Sequence, residues 1–349
     1  MLAVTFGDLL FRFRQFLIAI IGVMLVLALA LLLSGLASGF STEVSQTVGG
    51  FGANTWVLSK AAGGRITAFA AFPESGSLAI AHESGVHDAS PVLLIPFQVA
   101  HDGAKQLTVN LVGVVPGKLG DPTATEGHGL NGPNQVVVDD QLDVAIGSTL
   151  VLGGRDLRVV GTVRDRTLLG GTPMIYASLT SAQAIVVHGQ PLITAVVSRG
   201  SPTVLPAGLT KYTPEQVSAT TLAQMRSAVS SIDNMRWLMW VLAAIIVGAL
   251  LYVAALERQQ DFAVLKALGA SSSALFGSLI LEAILVTLVA TLLAELIANA
   301  LTPFLFNQPV DIQLSAYATL PIIAIVVGAL ASLTALRRVV SADPAAAFG

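Results

Sequence analysis

Eighteen consecutive residues, Phe16 to Leu33, carry no charge, and the run fades only through Ser34 to Ser38. A signal-peptide core is about 7–15 residues long, so this run is too long for that reading. A helix over Phe16–Ser38 would be about 34 Å long, enough to span a hydrocarbon core of about 30 Å. The next long apolar runs come almost 200 residues later. Trp237–Leu256 has no charge, Leu275–Leu301 is broken only by Glu282 and Glu295, and Ala316–Leu336 is the last. The spacing predicts four transmembrane helices, one followed by three. Composition supports this. Charged residues make up 11% and apolar residues 54%, with a mean hydropathy of +0.77. A soluble domain carries about 25% charged residues. The deficit excludes a disordered chain and argues against an ordinary cytosolic enzyme.

Lysine and arginine near the short loops set the orientation. Arg12 and Arg14 precede span one, Arg258 and Lys266 lie between spans two and three, and Arg337 and Arg338 follow span four. The loop Thr302–Ser315 has neither residue type. Both termini are therefore expected in the cytoplasm, although Arg226 and Arg236 run against the count. The segment from about Phe40 to Asn234 then lies outside the cytoplasm. It has a different character. Thr108–Val115, Gln135–Val138, Thr149–Leu152, Leu157–Val163 and Leu192–Ser198 are short apolar, β-branched runs separated by turn residues such as Pro116-Gly117 and Gly153-Gly154. They predict strands, with a short helix over Ala177–Val187. Residues 51–105 are rich in Gly and Ala and give no clear pattern. The expected fold is an α-helical membrane protein with four transmembrane helices and a mixed α+β extracytoplasmic domain inserted between helices one and two.

Two further helices are expected. Phe6, Leu9, Leu10 and Phe13 share one face of Val4–Arg14, which suits a helix lying in the cytoplasmic interface. A second starts at Thr213-Pro214-Glu215-Gln216, with Thr213 as cap, Pro214 in the first helical position and Gln216 as capping-box partner. Unbroken to Leu256, it would be about 64 Å long and would leave a stalk outside the membrane. Span one matches it if it continues through Glu43 and Val48 to Gly49-Gly50. The expected boundaries are 1–15 for the interfacial helix, 16–48 for span one with its extension, and 49–212 for the outer domain. They continue with 213–256 for stalk and span two, 257–273 for a cytoplasmic segment, 274–301 for span three, 302–315 for an outer loop, 316–336 for span four and 337–349 for the tail.

Several chemistries are unsupported. There is no basic stripe for nucleic acid; the net charge is −3. Cysteine is absent, which excludes disulfides, thiolate metal sites and a cysteine nucleophile. No G-x-x-x-x-G-K-[S/T] loop occurs, so the chain is not expected to hydrolyse ATP alone. His82 and His87 are five apart with a glycine between, whereas a zinc-binding helix needs an i, i+4 pair. An exposed loop is the simpler reading. No catalytic set is visible, and no cofactor or metal is expected in this chain.

The most informative segment runs from Glu257 to Ser271. Phe262, Leu265 and Leu268, with Val264 alongside, recur at helical spacing. Gly269 is placed to end the helix and Ser271–Ser273 to cap the next. A short amphipathic helix here either lies on the lipid surface or docks in a groove on a partner.

The residues Glu257, Arg258, Asp261, Phe262, Val264, Leu265, Lys266, Ala267, Leu268 and Gly269 resemble the cytoplasmic coupling segment of MacB/FtsX-like ABC transporter permeases. That segment reads roughly E-R-x-x-E-[I/F]-[A/G]-[V/I]-L-[R/K]-A-[L/I]-G-A, and Asp261 replaces the usual Glu. The tail Arg337–Phe348, with Asp343-Pro344-Ala345, is similar to the family's ending. Val136–Asp165, with Ile146-Gly147 and Val159-Val160-Gly161, is similar to its extracytoplasmic core. The N-terminal third resembles the DevC-type, glycolipid-export-associated branch. The resemblance implies a homodimer in the cytoplasmic membrane with two P-loop ATPase subunits beneath it. ATP and Mg would sit in those partners, and the ten residues named above would carry the contact. It also implies mechanotransmission to the outer domain, with a lipid-like, peptide or drug-like substrate exported or extracted. An extracytoplasmic adaptor is a further partner it allows. The family also offers a rival, an FtsX-like regulator that switches a cell-wall hydrolase and moves no substrate. An importer permease would need E-A-A-x-x-x-G, which Glu282-Ala283 does not continue. Glu282 and Glu295 stand inside span three, where a carboxylate costs about 2.5–3.5 kcal/mol at the centre and is usually paired. Glu282 is read first as a hydrogen-bonded strut and second as a proton or substrate group, and Glu295 as lying near the outer interface.

Overall fold

The computed structural model describes residues 13–101, 105–257, 264, 268–269, 271–304 and 310–341. It forms two compact units. One is helical, built from the chain up to Ser38 and from Ala228 onward; the other is a sheet unit, Gly39–Ser227. The expected interfacial helix lies largely outside the described residues, as does Asp343-Pro344-Ala345.

The first helix, α1 (Phe13–Gly49), has 37 residues and is about 55 Å long at 1.5 Å per residue. That exceeds a bilayer core, and the helix stops at the expected Gly49-Gly50. Its surplus turns belong to the sheet unit. There follow β1 (Thr55–Ser59), β2 (Phe72–Pro73), α2 (Ser75–Ala81), β3 (Val86–His101), β4 (Lys105–Val114), β5 (Glu126–Gly127), β6 (Gln135–Asp139) and β7 (Thr149–Leu152). Then come β8 (Arg155–Val163), β9 (Thr167–Leu168), β10 (Thr172–Ser178), α3 (Leu179–Val186), β11 (Leu192–Ile193), β12 (Ala195–Gly200), β13 (Leu209–Tyr212) and α4 (Pro214–Leu222).

The main sheet has the order β13-β1-β12-β3-β4-β10-β6-β8-β5. It is mixed: β10 runs parallel to β4 and β6 parallel to β8, while the other pairs are antiparallel. Alternate residues of a strand point to opposite faces, and here both faces are buried. Trp56, Leu58, Val92, Leu94, Val112, Val114, Met174 and Tyr176 enter one core. Their neighbours Val57, Leu93, Leu111, Ile175 and Ala177 enter the other. Covering both faces explains why these strands read as continuous apolar runs rather than as alternating ones.

Two sequence expectations change here. Leu192–Ser198 is not one strand. Thr194, 2% exposed, accepts a hydrogen bond from Leu94 N at 2.9 Å and separates β11, which pairs with β2, from β12, which pairs with β3. The central strand β10 fell inside and before the stretch read as a helix, so only α3 remains of it. The uninformative stretch 51–105 supplies β1, β2, α2 and β3, including the longest strand.

The Thr213 capping box is present. Thr213 Oγ1 accepts from Gln216 N and Gln216 Oε1 accepts from Thr213 N, with Pro214 first in the helix. The helix is not unbroken, however. A 3-10 turn, Ala223–Met225, separates α4 from α5 (Arg226–Glu257). The helical unit is completed by α6 (Ser272–Leu301) and α7 (Leu314–Ser341). Three stretches, in α1, in α4–α5 and in α6, are long and apolar enough to cross a membrane. The fourth helix, α7, is apolar over Leu314–Val327 and contains Pro321.

One core holds this unit together: Val23, Leu27 and Leu31 of α1, Ala243 and Val247 of α5, Ala283, Ala290, Ala294 and Ala298 of α6, and Leu320 of α7. The buried face of α6 is mostly alanine and threonine. Small side chains let helix backbones approach closely, which matters where lipid removes the hydrophobic drive for association. Thr287 and Thr291 satisfy their hydroxyls on Ala283 O and Thr287 O, at 2.8 and 2.7 Å.

Candidate functional site

The residues that resemble a coupling segment lie between α5 and α6. Glu257 ends α5 and is exposed. Val264 is helical and 46% exposed; Leu268 follows in a turn and is 79% exposed. Leu268 N donates to Val264 O at 3.0 Å, the i to i−4 bond of a helical turn. Gly269 has φ +95°, and an added Cβ would meet no atom. Glycine is therefore required for its conformation, as a helix stop. Ser271 O accepts from Leu275 N at 3.2 Å, in the capping position read from the sequence. Arg258, Asp261, Phe262, Leu265, Lys266 and Ala267 lie outside the described residues. Among the described residues, two large apolar side chains of this segment, Val264 and Leu268, are turned to solvent.

A second constellation sits in the sheet unit, on the last turns of α1. Glu43 is 6% exposed. Its Oε2 accepts from Gly170 N at 2.9 Å and its Oε1 from Gly171 N at 2.7 Å. Both glycines have positive φ, +88° and +79°, a backbone turn that L side chains rarely adopt. Thr47 Oγ1 donates to Thr167 O at 2.6 Å, and Arg166 Nη1 to Gln46 O at 3.1 Å. Glu43, Gln46 and Thr47 are at i, i+3 and i+4, so one helix face grips the segment between β8 and β10. Val44 and Val48, fully buried beside that face, join the core.

The same segment is held from its other side. Arg166 N donates to Asp139 Oδ2 at 2.7 Å and Gln141 N to Asp139 Oδ1 at 3.1 Å. Asp139 is fully buried. Burial pushes its carboxyl up to about 6, and the Arg166 and Gln141 N–H groups pull the other way. The arrangement is a clamp: a helix end fixed to a sheet by charge-assisted hydrogen bonds to backbone, each worth about 1.5–3 kcal/mol.

Comparison with known proteins now bears on both parts. A family model for the MacB-like periplasmic core domain matches residues 16–228, and one for the FtsX-like permease C-terminal region matches 235–344. The chain is 34% identical over 349 residues to "Uncharacterized ABC transporter permease Rv2563" of Mycobacterium tuberculosis, covering 100% of this chain and 99% of that one. It has the same identity and coverage with "Uncharacterized ABC transporter permease Rv0072" of that organism. The chain belongs to the MacB/FtsX-like family of ABC transporter permeases. The periplasmic region of MacB from Actinobacillus actinomycetemcomitans matches 51% of this chain and 96% of its own, at 15% identity and a TM-score of 0.35.

In this permease the two intramembrane carboxylates have different settings. Glu282 is 1% exposed within α6 and is engaged, not free. Glu295 is half-buried two turns from the end of α6, and its Oε1 has no hydrogen-bond partner. They do not form one site, since residues 13 apart on a helix are about 20 Å apart along its axis. The two histidines of the near-miss zinc motif separate as well: His82 caps α2 and His87 lies in β3. The sequence reading missed the clamp. Its only sequence signal was the pair Gly170-Gly171 downstream of an acidic residue in a helix extension, and no spacing rule joins residues 127 apart.

Proposed function

We propose that this permease is the membrane half of an ATP-driven machine whose ATPase is a separate subunit. The observation that carries the reading is the exposure of two apolar side chains, Val264 and Leu268, between two membrane helices. A P-loop ATPase partner with a matching groove would bury them. Two permease copies would pair with two ATPases holding ATP and Mg, in the cytoplasmic membrane. In this reading α7 is the fourth span, both termini are cytoplasmic and the sheet unit is extracytoplasmic. Closure of the ATPases pushes on the coupling segment, and the long helices deliver the stroke to the sheet unit. Glu43 and its glycines are where α1 grips that unit. The substrate class is lipid-like, peptide or drug-like, as in the glycolipid-export branch that the N-terminal third resembles. Glu282 acts as a strut within the membrane unit.

The test is co-expression with the candidate ATPase, read as co-purification and ATP turnover. Stable assembly that is lost in Leu268→Asp supports the reading. Wild-type behaviour of that variant overturns it and favours a helix lying on lipid. The absence of cysteine makes topology directly testable. Single cysteines at Ser315 and Ser341 should label from opposite sides of the membrane; labelling from one side removes the fourth span.

A further inference from the structure

The helical unit contains a cavity. It lies between α1, α5 and α7, and it has two halves of about 280 and about 320 Å³ that share Ser34, Arg236, Ala316 and Thr319. Beyond the shared residues one half is lined by Ala30, Leu31, Leu320 and Ile323, all apolar. The other is lined by Ser38, Gln313 and Ser315, which are small or polar. Arg236 stands where the halves meet.

The donors of that arginine are incompletely used. Its Nη2 pairs with Asp233 Oδ1 at 2.9 Å and its Nη1 reaches Ser34 Oγ at 3.4 Å. The guanidinium lies 5.6 Å from the centroid of the Trp240 ring. Its Nε is buried without a partner, and so is the indole Nε1 of Trp240, which lines the apolar half. Two N–H donors shielded from water therefore face desolvation with nothing in return, a state folded proteins seldom leave unanswered. An oxyanion with several acceptor atoms answers both, and the planar guanidinium suits phosphate.

The rest of the cavity says what carries that oxyanion. Two of the helices that line it also carry exposed apolar side chains, Val241 and Ile245 on α5 and Ile322 and Val326 on α7. Those residues would face lipid tails in a membrane. We propose that this cavity binds the head of an anionic phospholipid taken from the bilayer. The phosphate sits on Arg236 and Trp240, and the first carbons enter the slot beside Leu31 and Leu320. Ligand pockets run to about 300–1,000 Å³, so a site of this size takes the head region and leaves the tails in the membrane. The inference rests on the membrane-spanning reading but not on the ATPase.

The test uses the full chain in detergent, titrated with phosphatidylglycerol or phosphatidylcholine and read by native mass spectrometry. Wild type should prefer phosphatidylglycerol about tenfold, because both lipids offer the phosphate but phosphatidylcholine adds a fixed cation that the Arg236 guanidinium repels. Arg236→Gln should bring the two lipids within about twofold, and Arg236→Lys should keep part of the preference because the charge stays while the fork is lost. Thr319→Trp, which fills the cavity and spares the arginine, should lose the tight complex. No preference in wild type overturns the proposal, as does an unchanged preference in Arg236→Gln or Thr319→Trp. Displacement of the lipid by millimolar inorganic phosphate also overturns it, in favour of a free-anion site. Because no ATPase is present, lipid binding can fail while assembly holds, and the reverse.

Discussion

The two ends of the machinery are finished in opposite ways. On α1, Glu43 is buried and both carboxylate oxygens are occupied by backbone N–H groups of the same chain. Between α5 and α6, Val264 and Leu268 are apolar and exposed. The first is a joint complete within one chain. The second is the surface that, in the proposed function, a partner covers. A permanent connection can afford desolvation because its hydrogen bonds never open, whereas a contact with a separate subunit has to remain apolar and accessible until that subunit arrives.

The largest expected effect comes from breaking the joint. Glu43→Ala leaves Gly170 N–H and Gly171 N–H buried without acceptors. Two charge-assisted bonds at about 1.5–3 kcal/mol each put the loss at about 3–6 kcal/mol. Hydrogen exchange at Gly170 and Gly171 should rise by the corresponding factor. Glu43→Gln keeps one acceptor and should lose about half. If neither variant changes exchange at those two amides, the grip on α1 is not where the stability lies.

Next is the open end. Leu268→Asp places a charge on a contact that has to be desolvated. A buried anchor residue contributes about 2–4 kcal/mol to an interface. The affinity for the ATPase should fall roughly thirty- to a thousandfold by the usual conversion, while the stability of the permease alone changes little. Measuring both in one preparation separates the two ends. Glu43→Ala should move the stability and Leu268→Asp the affinity.

The same contrast explains what could be read from the sequence. The apolar runs of α1, α5 and α6 were legible because lipid imposes length and composition on each segment separately. The Gly269 stop and the Thr213 capping box were legible because each is written within a few residues. The clamp was not, because Glu43 and Gly170 are brought together only by the folded sheet. Strand β10 was obscured for a related reason. With both faces buried, Pro173-Met174-Ile175-Tyr176-Ala177 shows no alternation, and it runs straight into α3. In the region 51–105, β3 was hidden because Pro91 and Pro96 interrupt its apolar run, and proline within a run argues against a strand. The motif residues from Arg258 to Ala267 were legible as a family pattern, and Val264 and Leu268 are where the structure describes that pattern.

Asp139 sharpens the comparison on the sheet side. Its folded-state carboxyl is raised from an ordinary 3.8 to about 6, mainly by burial. A raised acid binds more protons folded than unfolded between those values. Unfolding free energy therefore falls as pH rises from about 4 to about 6 and is flat above. At 1.36 kcal/mol for each pH unit, the change is on the order of 2–3 kcal/mol. Denaturant unfolding followed by Trp56, in a chain with Trp237 and Trp240 replaced by phenylalanine, would read it. A rise in stability across that window would show that Asp139 is stabilised as an anion by its two N–H bonds more than it is penalised by burial.

The smallest effect tests the helix stop at the open end. Gly269 has φ +95° and room for a Cβ, so Gly269→Ala costs only the backbone preference, about 1–2 kcal/mol. Asparagine enters that region more easily and should cost less. Neither substitution touches an apolar contact. If the coupling turn works by presenting Leu268 at a fixed angle, ATPase affinity should follow the order glycine, asparagine, alanine, with steps of a few-fold. Equal affinity for all three would mean that the partner imposes the turn on binding, so that the open end is shaped by its groove and the closed end alone is built in advance.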